Sequence, residues 1–146
     1  MIEFVSGDMF DCDADVFVNT VNCVGVMGKG IALEFKNKYP VMFEEYKQSC
    51  DQGKVVPGKI HVYKNIFGDW IINFPTKRHW RDGSRYEDIK SGLVALHDYI
   101  LAQGKITVAM PALGCSNGGL DWDVVSKLID DHLKDLEALI YVFEPH

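Results

Sequence analysis

Residues 18–35 read V-N-T-V-N-C-V-G-V-M-G-K-G-I-A-L-E-F, and this stretch decides the fold. A short apolar run leads into two asparagines, Asn19 and Asn22, then into a glycine loop and a helical pattern that begins at Ile31. Such an arrangement can cradle phosphate, because glycine lets backbone amides approach and the helix N-terminus carries partial positive charge. A tight turn that needs glycine only for its backbone angles is the simpler alternative. The order G-K-G-I also differs from the P-loop, in which Ser or Thr follows G-K.

The composition is that of an ordinary globular domain with an acidic balance. The chain has 146 residues, of which 47% are hydrophobic and 25% charged, and its formal net charge is −6. We expect residues 1–146 to form one domain. Because the overall field of an acidic chain repels anions, an anion site here needs backbone amides or a local basic patch.

Hydropathy and cysteine usage together indicate a cytoplasmic protein. No apolar run reaches membrane-spanning length, and residues 1–5 read as a strand instead of a signal peptide. The four cysteines are scattered, without a C-x-x-C pair or a histidine at ligand spacing, so neither zinc nor a disulfide framework is expected. We therefore expect a reducing compartment, no metal, no cofactor and no membrane partner.

Strand and helix patterns alternate along the chain. Strands are predicted at 2–5, 16–19, 59–63, 70–74, 105–110 and 139–143, and the first two helices at 30–38 and 41–51. This alternation predicts an α/β domain with a largely parallel central sheet and helices on both faces. In such folds, ligands bind outside the carboxyl ends of the strands.

Two further helices are predicted from their start signals. Ser84-Arg85-Tyr86-Glu87 has the pattern of a capping box, and Asp121 can cap the last long helix. The residues predicted to face inward are Ile31, Leu33 and Phe35 in the first helix, Ile89, Leu93, Leu96 and Ile100 in the third, and Val124, Val125, Leu128, Ile129 and Leu133 in the last.

A second glycine loop follows the strand at 105–110. It reads Pro111-Ala112-Leu113-Gly114-Cys115-Ser116-Asn117-Gly118-Gly119. Like the first loop, it follows a strand and precedes a helix. Two such loops could grip two phosphates from opposite sides, and their pairing is much less frequent by chance than either loop alone.

With these pieces in place, the chain resembles the macrodomain family of ADP-ribose-binding modules over essentially its whole length. Three motifs carry the resemblance: Gly7-Asp8-Met9-Phe10, Val18-Asn19-Thr20-Val21-Asn22 and Pro111-Ala112-Leu113-Gly114-Cys115. The family's fold implies a three-layer α/β/α domain with a mixed, largely parallel central sheet.

Longer motifs are similar to one branch, the DarG-type DNA ADP-ribosyl glycohydrolase antitoxins. They are N-T-V-N-C-V-G-V-M-G-K-G-I-A, N-F-P-T-K-R-H-W-R and P-A-L-G-C-S-N-G-G-L-D-W. That branch removes ADP-ribose from thymidine in single-stranded DNA after modification by a DarT-type toxin. The terminal ADP-ribose protein glycohydrolase of animals is a more distant relative.

The resemblance implies a set of site residues. Asp8 and Met9 would hold adenine, although Asp8 as an ordinary turn residue is the alternative from sequence. Lys77 and Asn22 would act at the distal ribose. The implied ligand-binding set is Asp8, Met9, Asn19, Asn22, Gly28, Lys29, Gly30, Ile31, Pro111, Ala112, Leu113, Gly114, Cys115, Ser116, Asn117 and Gly118. One departure is that the animal glycohydrolase has an aspartate where this chain has Gly118.

The chemistry expected of Lys77 leaves two roles open. A glycohydrolase must stabilise positive charge at the anomeric carbon, deliver a nucleophile and release the base. Lys77 could attack that carbon if burial or Arg78 lowers its pKa enough to leave a neutral amine. It could instead stay charged and stabilise the departing base. The charged role is favoured, because Gly118 removes the carboxylate that a covalent route would use.

The segment around Lys77 bears on the substrate. Arg78, His79, Trp80 and Arg81 give positive charge beside an aromatic ring in an otherwise acidic chain, which is how single-stranded nucleic acid is held. The alternative is that Trp80 packs on the domain and the arginines pair with acids. Cys115 is interpreted as a small loop residue, since no basic partner is apparent.

Three functions are therefore compared. The first is hydrolysis of ADP-ribosylated single-stranded DNA that reverses a DarT-like toxin. The second is a hydrolase of protein-linked ADP-ribose or of ADP-ribose 1''-phosphate. The third is a reader that binds ADP-ribose without turnover. The basic-aromatic segment favours the first over the second, and Lys77 favours an enzyme over a reader.

Overall fold

A computed structural model describes residues 1–145, in which one six-stranded sheet lies between helices. The strands are β1 (Ile2–Val5), β2 (Val16–Val21), β3 (His61–Lys64), β4 (Trp70–Pro75), β5 (Thr107–Pro111) and β6 (Leu139–Phe143). The helices are α1 (Gly30–Lys38), α2 (Pro40–Asp51), α3 (Tyr86–Gln103) and α4 (Trp122–Leu133), and a short 3-10 turn spans Met9–Asp11.

The strand order is β1-β6-β5-β2-β4-β3, and only the β3–β4 pair at one edge is antiparallel. The prediction of a largely parallel α/β sheet is confirmed. Because the parallel strands share one direction, their carboxyl ends meet at one edge of the sheet. The loops that follow β1, β2, β4 and β5 therefore all emerge there.

Two hydrophobic cores cover opposite faces of the sheet, which gives the three layers. Alternation along each strand separates them: Val16 and Val18 face the core under α3 and α4, whereas Phe17 and Val21 face the core under α1 and α2. The predicted inward face of α3 is fully buried. In α4, Val124 is 43% exposed, and in α1 Leu33 is 36% exposed, so both were wrongly placed in the core.

The start of α3 differs from the predicted capping box. Arg85 is the N-cap residue and makes no side-chain cap bond, while the buried hydroxyl of Ser84 has no hydrogen-bond partner. The reason is that the Ser84 backbone N–H donates to the carbonyl of Gly118 at 2.9 Å, which draws Ser84 to the second glycine loop. Asp121 does cap α4, since its carboxylate accepts from the Asp123 amide at 2.9 Å.

Helix α3 packs closely on β4 at Gly92. A Cβ there would overlap the Phe74 ring, with Cε1 at 2.7 Å and Cζ closer still. We expect Gly92→Ala to lower stability, because overpacking costs about 1–3 kcal/mol. The gain in helix propensity is only about 1 kcal/mol, and the Phe74 ring is fully buried.

Urea unfolding would measure this change, with the exposed Lys90→Ala on the same helix as the control. A midpoint for Gly92→Ala at or above the wild-type value would contradict the close packing. Within residues 1–145, no helix is long and apolar enough to cross a membrane.

Candidate functional site

A cleft of about 1210 Å³ opens at the carboxyl ends of the parallel strands. Within the described residues, five stretches line it: the turn after β1, the first glycine loop after β2, the segment after β4, the second glycine loop after β5, and the end of β6 with the residues that follow it. The sheet order places these stretches along the cleft, with β1 and β6 at one end, β5 and β2 in the middle and β4 at the other end. This is where ligands bind in α/β sheets.

At the β1 end, Asp8 is exposed and lines the cleft. Its carboxylate accepts a hydrogen bond from the Phe10 amide at 3.0 Å, which caps the 3-10 turn. Asp8 therefore is the turn residue that the simpler interpretation expected, and it also faces the cleft. Met9 also lines the cleft but is buried, so little of it is accessible to a ligand.

The first glycine loop is held in shape by Asn22. The Asn22 side chain donates to the Val26 carbonyl at 2.8 Å, and its oxygen accepts from the amides of Val24 and Val26 and from the Tyr46 hydroxyl. The oxygen of Asn22 is therefore committed to the loop. Only its second side-chain N–H stays available to a ligand.

Asn19 does not reach the cleft, contrary to its place in the predicted ligand set. It is fully buried on the α1–α2 face of the sheet, where its amide donates to Asn73 Oδ1 at 3.1 Å and to the sulfur of Met27 at 3.7 Å. The side-chain nitrogen Nδ2 of Asn73 in turn lies 3.0 Å from His61 Nδ1. Burial lowers the pKa of His61. These residues form a polar row beneath the first glycine loop, because Asn19, Asn73 and His61 share one register across β2, β4 and β3.

The second glycine loop is tightly packed against Ser84. A Cβ at Gly118 would overlap both the Ser84 hydroxyl and the Gly114 carbonyl. At Gly114, whose φ is +73°, a Cβ would lie 2.9 Å from Leu120 Cδ1 and 3.1 Å from Ser84 Cβ. Neither position has room for a side chain. The loop's cleft-lining residues are Ala112, Gly114, Ser116, Asn117 and Gly118, with Pro111 at its start.

Two predicted members of this loop turn their side chains elsewhere. Leu113 is fully buried in the core, and the Cys115 thiol lies 3.4 Å from the Leu113 carbonyl. Burial, with a smaller effect of Asp121, raises the pKa of the Cys115 thiol to about 11. A thiol held protonated is a poor nucleophile, which agrees with the interpretation of Cys115 as a small loop residue.

The two glycine loops approach each other across the cleft. A Cβ at Gly30, whose φ is +62°, would lie 3.1 Å from Asn117 Nδ2. Lys29, Gly30 and Ile31 line the cleft on the first loop's side. The space between the loops is therefore bordered by backbone amides and the start of α1, a suitable environment for phosphate.

Lys77 lies at the β4 end of the cleft, two residues after the strand ends. Burial lowers the pKa of its amine, the nearby charge of Lys29 lowers it further, and Asp82 opposes both. From the sequence, Arg78 is the neighbour expected to lower this pKa. In the structure, the charge that lowers the pKa is that of Lys29. The charge that opposes it is that of Asp82, which no motif indicated.

The four residues predicted to touch DNA separate into two pairs. Trp80 and Arg81 line the cleft; Trp80 is 48% exposed, and the Arg81 guanidinium lies 4.8 Å from the centre of its ring. His79 lies outside the cleft lining, with its ring 5.2 Å from that of Trp80. Arg78 also lies outside, because its guanidinium bonds both carboxylate oxygens of Asp88 on α3 at 3.1 Å.

Comparisons with known proteins agree with this geometry. The model of the Macro domain family matches residues 18–129. A DNA ADP-ribosyl glycohydrolase of Mycobacterium tuberculosis is 48% identical over 97% of this chain, and the chain spans 42% of that relative's length. The structure of the macrodomain of Thermus aquaticus DarG superposes with a TM-score of 0.92 and 41% identity, covering 99% of both chains. Thermosipho africanus DarTG, solved in complex with ADP-ribose, gives a TM-score of 0.91 and 34% identity, covering 99% of this chain and 41% of that one.

Proposed function

The chain belongs to the Macro domain family, and from that premise we propose that it is a hydrolase that removes ADP-ribose from thymidine in single-stranded DNA. A DarT-type transferase would supply the modification that this reaction reverses. The observation that carries the proposal is that Lys77, Trp80 and Arg81 line the same cleft as the two glycine loops. A phosphate cradle, a candidate reactive group and a base-stacking surface thus share one site.

The proposed orientation of ADP-ribose follows the order of the strands. Adenine lies at the β1 end beside Asp8, the diphosphate lies between the two glycine loops, and the distal ribose lies at the β4 end beside Lys77. Support comes from the charges along the cleft, because Lys29 and the loop amides suit the diphosphate. The modified base then projects toward Trp80 and Arg81 at the mouth.

In the proposed chemistry, Lys77 acts as an ammonium group. Breaking the bond between the anomeric carbon and the base leaves negative charge on the base, and a cation in a partly buried site stabilises that charge strongly. Asp82 supports this role, because its negative charge opposes the lowering of the Lys77 pKa. No cluster of three or more metal-ligating side chains occurs within residues 1–145, and the proposed step uses none.

The proposed function is tested by comparing two substrates. We expect the protein to release ADP-ribose from thymidine-modified single-stranded DNA faster than from a protein-linked substrate. Trp80→Ala should raise KM for the DNA about tenfold or more, because a stacked base contributes about 1–3 kcal/mol. Phe67→Ala, which removes an exposed aromatic ring in the β3–β4 turn, is the matched control and should change nothing.

Two results would contradict the proposal. Release from the protein-linked substrate alone would show a hydrolase of protein-linked ADP-ribose. Binding of ADP-ribose without release from either substrate would show a reader. An equal effect of Trp80→Ala on both substrates would remove the base-stacking role of Trp80.

Asp8 provides a test of the orientation. We expect Asp8→Ala to weaken binding of free ADP-ribose about tenfold or more, because a hydrogen bond to a charged group contributes about 1.5–3 kcal/mol. Asp8→Asn removes the negative charge but keeps a side-chain acceptor for the Phe10 amide. It therefore distinguishes loss of the charge from loss of the cap of the 3-10 turn. Calorimetry measures both, with Asp11→Ala outside the cleft lining as the control. Unchanged affinity in Asp8→Ala would show that adenine does not bind beside Asp8.

A further inference from the structure

Within residues 1–145, four side-chain carboxylates line the cleft, and the strand order separates them. Asp8 and Glu144 lie at the end formed by β1 and β6, and Glu34 lies on α1. Only Asp82 follows β4, the strand that also leads into Lys77. Asp82 is therefore the carboxylate on the same side of the cleft as the proposed reaction.

A backbone turn separates Lys77 from Asp82, and both residues line the cleft. The Asp82 amide donates to the His79 carbonyl at 3.0 Å, which closes a turn over residues 79–82. The next residue, Gly83, is held against the second glycine loop, since a Cβ there would lie 3.4 Å from the Gly118 carbonyl. Asp82 is exposed, and it lies in the chain between the turn at 79–82 and the contact of Gly83 with the second glycine loop.

Among the described residues, the carboxylate of Asp82 forms no ion pair. Within residues 1–145, no Lys, Arg or His nitrogen lies within 4.0 Å of it. The neighbouring cations have other contacts: Arg78 pairs with Asp88, Arg81 lies over Trp80, and Arg85 lies 3.7 Å from Glu87. Lys77 is close enough for Asp82 to oppose the lowering of its pKa, yet the two make no direct ion pair. An unpaired carboxylate in a cleft can accept a proton from water.

We propose that Asp82 is a catalytic residue, the general base that activates water for attack on the anomeric carbon; this inference rests on the proposed function. The water oxygen bonds to the anomeric carbon as the bond from that carbon to the base breaks, and a proton of the water passes to the Asp82 carboxylate. The electron pair of the broken bond leaves with the base, whose negative charge the Lys77 ammonium stabilises. Solvent then protonates the base, and Asp82 returns its proton to solvent.

The test uses Asp82→Asn and Asp82→Ala on thymidine-modified single-stranded DNA. We expect kcat to fall about 10²–10⁴-fold, the usual range for loss of a general base, with KM and the affinity for free ADP-ribose nearly unchanged. Added formate or azide should restore part of the activity of Asp82→Ala, because a small anion can occupy the vacated space. Asp13→Asn, an exposed carboxylate outside the cleft lining, is the matched control.

The outcomes distinguish the two claims. If the wild-type protein binds ADP-ribose but releases none from DNA, the proposed function is wrong and the role of Asp82 falls with it. If the wild-type protein is active and Asp82→Asn keeps its kcat, only the role of Asp82 is overturned. A loss of ADP-ribose affinity parallel to the loss of kcat, or no recovery with either anion, would also overturn it, because each indicates binding or positioning instead of proton transfer.

Discussion

Replacement of Lys77 by alanine is expected to slow release of ADP-ribose from modified DNA about 10²–10³-fold and to leave the affinity for free ADP-ribose nearly unchanged. The reason is that a charge that acts mainly on the departing base contributes to the transition state and not to the binding of product. Loss of one electrostatic contact of this kind costs about 10²–10³-fold in kcat. Single-turnover assays and calorimetry measure the two quantities, with the exposed Lys59→Ala as the control.

The two roles of Lys77 give different results in two further experiments. Lys77→Arg keeps the charge, so the electrostatic role predicts partial activity, whereas a covalent role predicts none. Borohydride added during turnover would trap a sugar–lysine adduct and add the mass of ADP-ribose at Lys77. We expect partial activity in Lys77→Arg and no adduct. Full activity in Lys77→Ala would contradict both roles.

Gly28→Val is expected to remove binding of ADP-ribose while the protein stays folded. Gly28 has no positive φ, and a Cβ there makes only an ordinary contact of 3.5 Å with Val26 Cγ1, so the free protein has room for a side chain. A valine at this position would instead occupy the space proposed for the diphosphate. We expect affinity to fall at least about a hundredfold, which corresponds to about 2.8 kcal/mol.

Gly114→Val provides the contrast. Its φ of +73° and its close neighbours leave no room even without ligand, so this variant should lose stability together with binding. Thermal unfolding and calorimetry on both variants measure the difference, and Ala102→Val on the exposed end of α3 is the control for a β-branched residue. A folded Gly28→Val with wild-type affinity would show that the first loop does not hold the diphosphate.

The architecture could be predicted from local patterns, since alternation and turn residues identify strands and helices one by one. The alternation also places every second residue of β2 on one face, but the motif V-N-x-x-N does not say which of its asparagines extends beyond the strand. Asn19 was therefore assigned to the cleft although it is buried beside Asn73. Similarly, the motif around Lys77 indicates a DNA contact for Arg78, because it does not reveal the ion pair with Asp88 on α3, ten residues further along the chain.

The surroundings of Lys77 could not be predicted from its own motif either. Lys29 acts on its pKa from the first glycine loop, far away in the chain, and Asp82 acts through a turn that no motif marks. Likewise, the capping-box pattern at Ser84 describes a local preference, and the contact with Gly118 overrides it. Contacts between segments that are distant in sequence shape the candidate site, whereas patterns of neighbouring residues are enough to identify the helices and strands.

The contact of Gly118 with Ser84 and with the Gly114 carbonyl restricts how this site can evolve. The resemblance implies an aspartate at the matching position of the animal glycohydrolase, whereas here a Cβ at Gly118 would overlap both neighbours. Shortening Ser84 would remove one obstacle and leave the backbone carbonyl in place. A substitution at Gly118 alone therefore cannot place a carboxylate here without a shift of the backbone. A carboxylate at this point of the cleft is therefore more easily supplied by another segment than by this loop.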